Sequence, residues 1–119
     1  MKPVKDYSIK KGIKANELAK QLRDSGGFGA KDLGIAVDIL ETMAKKDCTR
    51  FLSFPANIIS TGTRGVIRDM AKERLFSAII TTCGTLDHDL ARIWKDYYHG
   101  SFHADDAELY SKNIHRLGN

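Results

Sequence analysis

Cysteine is scarce in this 119-residue chain: Cys48 and Cys83 stand 35 positions apart. That spacing makes neither a disulfide framework nor a Cys-x-x-Cys metal knuckle, so a reducing, cytoplasmic setting is the expectation. Long apolar runs are also lacking. No stretch approaches the roughly 18 residues a membrane span needs, and the opening Met1-Lys2-Pro3-Val4-Lys5-Asp6 lacks the apolar core of a secretion signal. No membrane partner is expected. There is no Gly-x-Gly-x-x-Gly string, so the ordinary dinucleotide fingerprint gives no support. Internal repeats and low-complexity segments are missing too, and the length holds one domain at most.

The cationic excess is small and uneven. Residues 1–54 hold 11 Lys and Arg against 7 Asp and Glu, a net +4, whereas 55–119 hold 8 of each, a net of zero. Lysines at 2, 5, 10, 11, 14 and 20 form a basic arm. With no aromatics interleaved to stack on bases, the arm reads as a solvated lead-in or a contact for an acidic surface. No nucleic-acid partner is expected.

Periodicity organises the rest. Residues 1–14 are polar and aperiodic, and 15–22 read as a short helix stopped by Asp24-Ser25-Gly26-Gly27. The strongest helix is expected over 32–45, with Leu33, Ala36, Leu40 and Met43 in one stripe and Ile35 and Ile39 beside it. Lys45 and Lys46 suit its C-terminal dipole. A strand follows over about 49–54, and then a helix from 62 or 63 to 74 with Val66, Ile67, Met70 and Ala71 as its apolar face. A second strand is expected over 78–82, a helix over 86–94 and a short helix over 105–112.

Strand, helix, strand, helix implies an α/β fold with parallel pairing. Two strands are too few for a stable sheet, and parallel sheets are covered on both faces, so the sheet is expected to be incomplete without further strands. Ligands bind beyond the carboxyl ends of such strands. Two loops lie there: Pro55-Ala56-Asn57-Ile58-Ile59-Ser60-Thr61-Gly62, and Thr82-Cys83-Gly84 leading into Leu86-Asp87-His88-Asp89.

From the residues alone, Asn57 and Ser60 read first as the cap and turn of a β–α connection. An amide, a hydroxyl and free N–H groups near a helix start are also what ribose or pyrophosphate needs. Gly84 permits close backbone approach, Thr82 offers a hydroxyl, and Cys83 reads as a small buried residue at a strand end, with nothing arranged to activate its thiol. Asp87, His88 and Asp89 suit the first turn of a helix; their alternative is an acidic wall gripping a cationic amine. Asp89 reads as structural. His99 and His103, with Asp105 and Asp106 nearby, are separated by Gly100-Ser101, so no metal is assigned. Trp94, Tyr97 and Tyr98 read as core or subunit-interface residues. Arg64 and Arg68 read as a solvated or interface face rather than a phosphate grip.

The stretch 51–68, around Pro55-Ala56-Asn57-Ile58-Ile59-Ser60-Thr61-Gly62, closely resembles the corresponding segment of the deoxyhypusine synthases, as does Ile79-Ile80-Thr81-Thr82-Cys83-Gly84-Thr85-Leu86-Asp87-His88-Asp89. Gly26-Gly27-Phe28-Gly29-Ala30-Lys31-Asp32-Leu33-Gly34 and the ending Asn113-Ile114-His115-Arg116-Leu117-Gly118-Asn119 match as well. The resemblance is archaeal in flavour and covers essentially the whole chain, which looks like the N-terminal third or so of a longer enzyme. It implies that 1–119 is the N-terminal part of a Rossmann-like, doubly wound, NAD-binding domain, with 1–25 a basic arm and short helix.

The family it resembles moves the aminobutyl group of spermidine onto one lysine of translation initiation factor 5A, the first step of hypusine formation, with NAD holding the hydride between two steps. Aligned to it, Ala56, Asn57, Ile58, Ile59 and Ser60 form a first NAD-contacting segment, and Thr82, Cys83 and Gly84 a second. Asp87 and His88 fall where eukaryotic relatives carry two glutamates that contact spermidine, the second also touching NAD. Asp87 keeps the carboxylate and His88 does not, which opens the alternative of a related polyamine- or agmatine-using transferase. The family's catalytic lysine lies far towards the C-terminus, and none of the 12 lysines here stands in its context. No catalytic residue is assigned, and the chain alone is expected to be inactive. Its expected partner is a second polypeptide supplying that lysine, or identical subunits if the chain is a fragment. A non-catalytic regulatory subunit of a synthase is the other alternative.

Overall fold

The computed structural model describes residues 1–117; Gly118 and Asn119, which end the terminal matching string, lie outside the described residues. The chain divides into two units, Met1–Thr49 and the remainder from Arg50 onward.

The first unit is a helical pair. Helix α1 (Ala15–Asp24) ends through Ser25 and a left-handed Gly26, and α2 (Phe28–Lys45) starts four residues earlier than its periodicity predicts. The early turn is made of Phe28, Gly29, Ala30 and Lys31, which carry no stripe to reveal it. The arm folds back on α1: Lys5 N–H donates to the Asp24 carbonyl at 3.1 Å, and Ser8 N–H to Gln21 Oε1 at 2.8 Å. Helix α2 meets α1 on an unexpected face. A Cβ on Gly34 would lie 2.5 Å from Arg23 Cβ and 2.7 Å from the Ala19 carbonyl oxygen, so the helices cross where α2 has no side chain. Leu33 and Leu40, from the predicted stripe, are each 55% exposed. Helix α2 is apolar around more than one face, and periodicity cannot rank faces.

From Arg50 onward the architecture is α/β. Strands β1 (Phe51–Phe54) and β2 (Ala78–Thr81), rich in aromatic and β-branched residues, pair in parallel. Between them run a 3₁₀-helix (Ala56–Ser60), where the sequence reads as a loop, and α3 (Thr63–Lys72). After β2 come α4 (Gly84–Trp94) and α5 (Asp106–Ser111), the latter capped by Asp105, whose Oδ1 accepts from Ala107 and Glu108 N–H. This small, open parallel sheet with its helices is an incomplete Rossmann-like fold. Among the described residues, Phe54 and Ile59 are the only buried apolar side chains, at 9% and 3% exposure. Both belong to the passage from β1 into the 3₁₀-helix, so the core gathers behind the first loop.

Candidate functional site

The register of the two strands positions everything that follows. Phe51 pairs with Ala78 and Phe54 with Thr81, so the strands end together. Parallel strands that stop in register deliver both following loops to one end of the sheet. The loops are also tied to each other. Ala56 N–H donates to Thr82 Oγ1 at 2.9 Å, and Thr81 Oγ1 donates to the Phe54 carbonyl at 2.8 Å while meeting Thr85 Oγ1 at 2.6 Å.

Gly84 belongs to the same tie. A Cβ there would stand 3.1 Å from Ala56 Cβ, so the bare glycine lets the first loop lie against the start of α4. Helix α4 therefore begins at Gly84, two residues before its apolar pattern does. Cys83 is the N-cap residue and is exposed, contrary to the expectation of a buried strand end. The reason is direct: this sheet has two strands, and nothing among the described residues covers that strand end.

Each remaining candidate has a definite place. Ser60 Oγ donates to the Asn57 carbonyl at 2.6 Å, closing the 3₁₀-helix, while the Asn57 side chain is exposed. Ile59 is buried and Ile58 half-buried, so these two anchor the loop through packing. Asp87 is exposed and His88 half-buried in the first turns of α4. Asp89 accepts from Arg64 Nε at 2.6 Å, which joins α4 to the start of α3 and gives Arg64 a partner within the fold, where the sequence reads a solvated or interface face. Arg68 pairs with its neighbour Asp69 on an exposed face.

The structure adds residues that spacing does not reveal. Arg92 Nη1 donates to the carbonyls of Ile59 and Thr61, both at 2.7 Å, closing the C-terminal end of the 3₁₀-helix. Tyr97, read as core or interface, is half-buried with its hydroxyl 3.1 Å from His88 Nδ1. The one sequence signal for Arg92 is its place four residues after His88 on the same helix. Trp94 and Tyr98 are not core residues, at 82% and 87% exposure. His99 and His103 are exposed and lie outside any helix, and among the described residues no group of three or more His, Cys, Asp or Glu is placed to hold a metal ion. No helix among the described residues is long and apolar enough to cross a membrane.

Comparison with known proteins bears directly on this arrangement. The family model described as deoxyhypusine synthase matches residues 17–119. A probable deoxyhypusine synthase of Picrophilus torridus is 52% identical over 117 residues, covering 98% of this chain and 38% of the relative. Those of Thermoplasma acidophilum and Ignicoccus hospitalis are 48% and 42% identical, covering 99% and 98% of this chain and 38% and 37% of their own lengths. The chain thus spans less than two-fifths of the relatives it matches.

Proposed function

The chain belongs to the deoxyhypusine synthase family, and from that premise we propose that it supplies one wall of an NAD and amine site in an aminobutyl transferase. The reading extends to the family's reaction: transfer from spermidine to a lysine of translation initiation factor 5A. The reacting lysine comes from the remaining length of the family's chain, whether continuous with this one or a separate polypeptide.

The observation that carries the reading is the tie between the loops, Ala56 N–H to Thr82 Oγ1 at 2.9 Å with Gly84 against Ala56. It makes one surface of two segments 26 residues apart. That surface fits a dinucleotide. Asn57 presents an exposed amide, and Thr82, having accepted from Ala56, keeps its hydroxyl proton for a ligand. The N–H groups of Cys83 and Gly84 open α4, where a helix leaves its donors unsatisfied and its dipole favours anionic oxygen. Asn57, Thr82, Cys83 and Gly84 would hold the cofactor's polar atoms, with Ile58 and Ile59 backing them. Bound there, NAD would supply a reversible hydride acceptor.

Asp87 has the chemistry to bind the amine: an exposed carboxylate pairs with an ammonium through charge-assisted hydrogen bonds. His88 beside it offers an acceptor with no countercharge when neutral. That substitution favours a second reading, a different amine donor such as agmatine on the same scaffold.

The test uses this chain assembled with the rest of the family's length. Aminobutyl transfer from spermidine is expected in the assembly and not from the isolated chain. Asn57→Ala is expected to weaken NAD binding by roughly tenfold, while Thr82→Ser, which keeps the hydroxyl, leaves it within about twofold. Unchanged NAD affinity in Asn57→Ala, or turnover by the isolated chain, refutes the assignment. Faster turnover with agmatine than with spermidine selects the second reading.

A further inference from the structure

A hydroxyl and a guanidinium stand behind His88. Its Nδ1 lies 3.1 Å from the Tyr97 hydroxyl, and the two rings meet edge-on with centroids 5.9 Å apart. The guanidinium carbon of Arg92 is 5.7 Å from the centroid of the same tyrosine ring, within cation–π range. Nη1 of that guanidinium also grips the Ile59 and Thr61 carbonyls. One side chain therefore touches both the end of the 3₁₀-helix and the ring that holds His88.

A neutral imidazole donates from one nitrogen and accepts at the other. With Nδ1 engaged by Tyr97, Nε2 is the nitrogen left for a ligand. An alkylammonium carries N–H donors and no acceptor, so it needs a lone pair at Nε2. We propose that Tyr97 and Arg92 are positioning residues: His88 Nδ1–H donates to the Tyr97 oxygen, His88 Nε2 accepts an N–H of the cationic amine, and Arg92 ties that orientation to the fold of the first loop. This rests on the reading of Asp87 and His88 as the amine pocket. Both Tyr97 and Arg92 are half-buried, as side chains that hold a neighbour in place must be. In this arrangement Asp87 supplies the single countercharge, and His88 adds a directional hydrogen bond without a second one.

The experiment measures spermidine and NAD binding separately, by calorimetry on the assembled protein. Tyr97→Phe keeps the ring under Arg92 and removes the hydroxyl. It is expected to raise the spermidine dissociation constant about tenfold and that for NAD much less, because the loop residues proposed to hold NAD are untouched, a split that general loosening of α4 does not produce. Arg92→Gln is expected to weaken both ligands, and Arg92→Lys, which keeps the charge without the two-carbonyl grip, to fall between. His88→Ala is the reference. If it weakens spermidine binding and Tyr97→Phe does not, the positioning role is overturned and the pocket stands. If His88→Ala changes nothing, the pocket reading falls and the proposal with it. Should Tyr97→Phe fail to assemble, His88→Gln decides: its amide oxygen accepts without help from Tyr97, so it is expected to bind spermidine more tightly than His88→Ala. Equal loss in the two overturns the acceptor role.

Discussion

Two glycines do their work by leaving out a side chain. Gly84 leaves room for Ala56, 3.1 Å from where its own Cβ would be, and so lets two distant loops share a surface. Gly34 is the tighter case, because the atoms around its missing Cβ include backbone: the Ala19 carbonyl oxygen and the Arg23 nitrogen, both at 2.7 Å. Backbone cannot rotate out of the way as a side-chain tip can. Gly34→Ala gains about 1 kcal/mol of helix propensity in the middle of α2, but forcing a methyl into closed packing costs about 1–3 kcal/mol, with the close backbone contacts pointing to the upper end. The net expectation is a lower urea midpoint for the α1–α2 pair, followed by far-UV circular dichroism. An unchanged or raised midpoint would show that the helices separate at no cost. Nothing in the string Asp32-Leu33-Gly34 announces this role, since a glycine's neighbours in space are not its neighbours in sequence.

At the scale of elements, ion pairs accompany the packing of the helical pair. Arg23 on α1 bonds both Asp24 and Asp38, reaching across to α2, and Lys45 meets Glu41 at 2.6 Å. The Arg23 guanidinium bonded to Asp24 holds that carboxyl below its usual range, and Lys45 does the same for Glu41; Arg23 itself is pushed further up, by Asp38 first. A depressed folded-state pKa means stability that is complete above the ordinary carboxylate range of about 4 and lost as pH falls through the folded value. The α1–α2 pair is therefore expected to lose helical signal on acidification from about pH 6 to pH 2. Asp24→Asn and Glu41→Gln are expected to flatten that profile. Glu41 is exposed and Asp24 only half-buried, so the effect is small and fades with added salt; a variant as acid-sensitive as the parent would assign the loss to other groups. The elements themselves were largely legible from periodicity. The 3₁₀-helix at Ala56–Ser60 was not, because a single tight turn has no repeat to detect and is closed partly by Arg92, 33 residues from Ile59.

Across the whole molecule, exposed apolar surface is the dominant feature. Phe51 and Ile80 on the strands are 62% and 60% exposed, and α4 presents Leu86, Leu90, Ile93 and Trp94 to solvent along one run. Surface of this kind in a chain spanning 38% of its relatives fits the expectation that further strands complete the sheet. The isolated chain is expected to bind an apolar dye such as ANS and to self-associate, and assembly with the rest of the family's length to abolish most of the dye signal. A dye-silent, monomeric isolated chain would mean that these side chains find cover within it.

The amino-acid sequence by itself determined the class of the fold, the order of its strands and helices and the family to which it belongs, because strand and helix periods and loop strings are local properties. It also marked the two loops where ligand chemistry is expected. Only the tertiary structure decided that Thr82 and Gly84 join those loops, that α2 meets α1 through Gly34 rather than its leucine stripe, and that Arg92 and Tyr97 stand behind His88. Each of those contacts joins residues that only folding brings together, through directional hydrogen bonds or close packing. Such partners are chosen by where the backbone arrives, and no repeat in the chain records that.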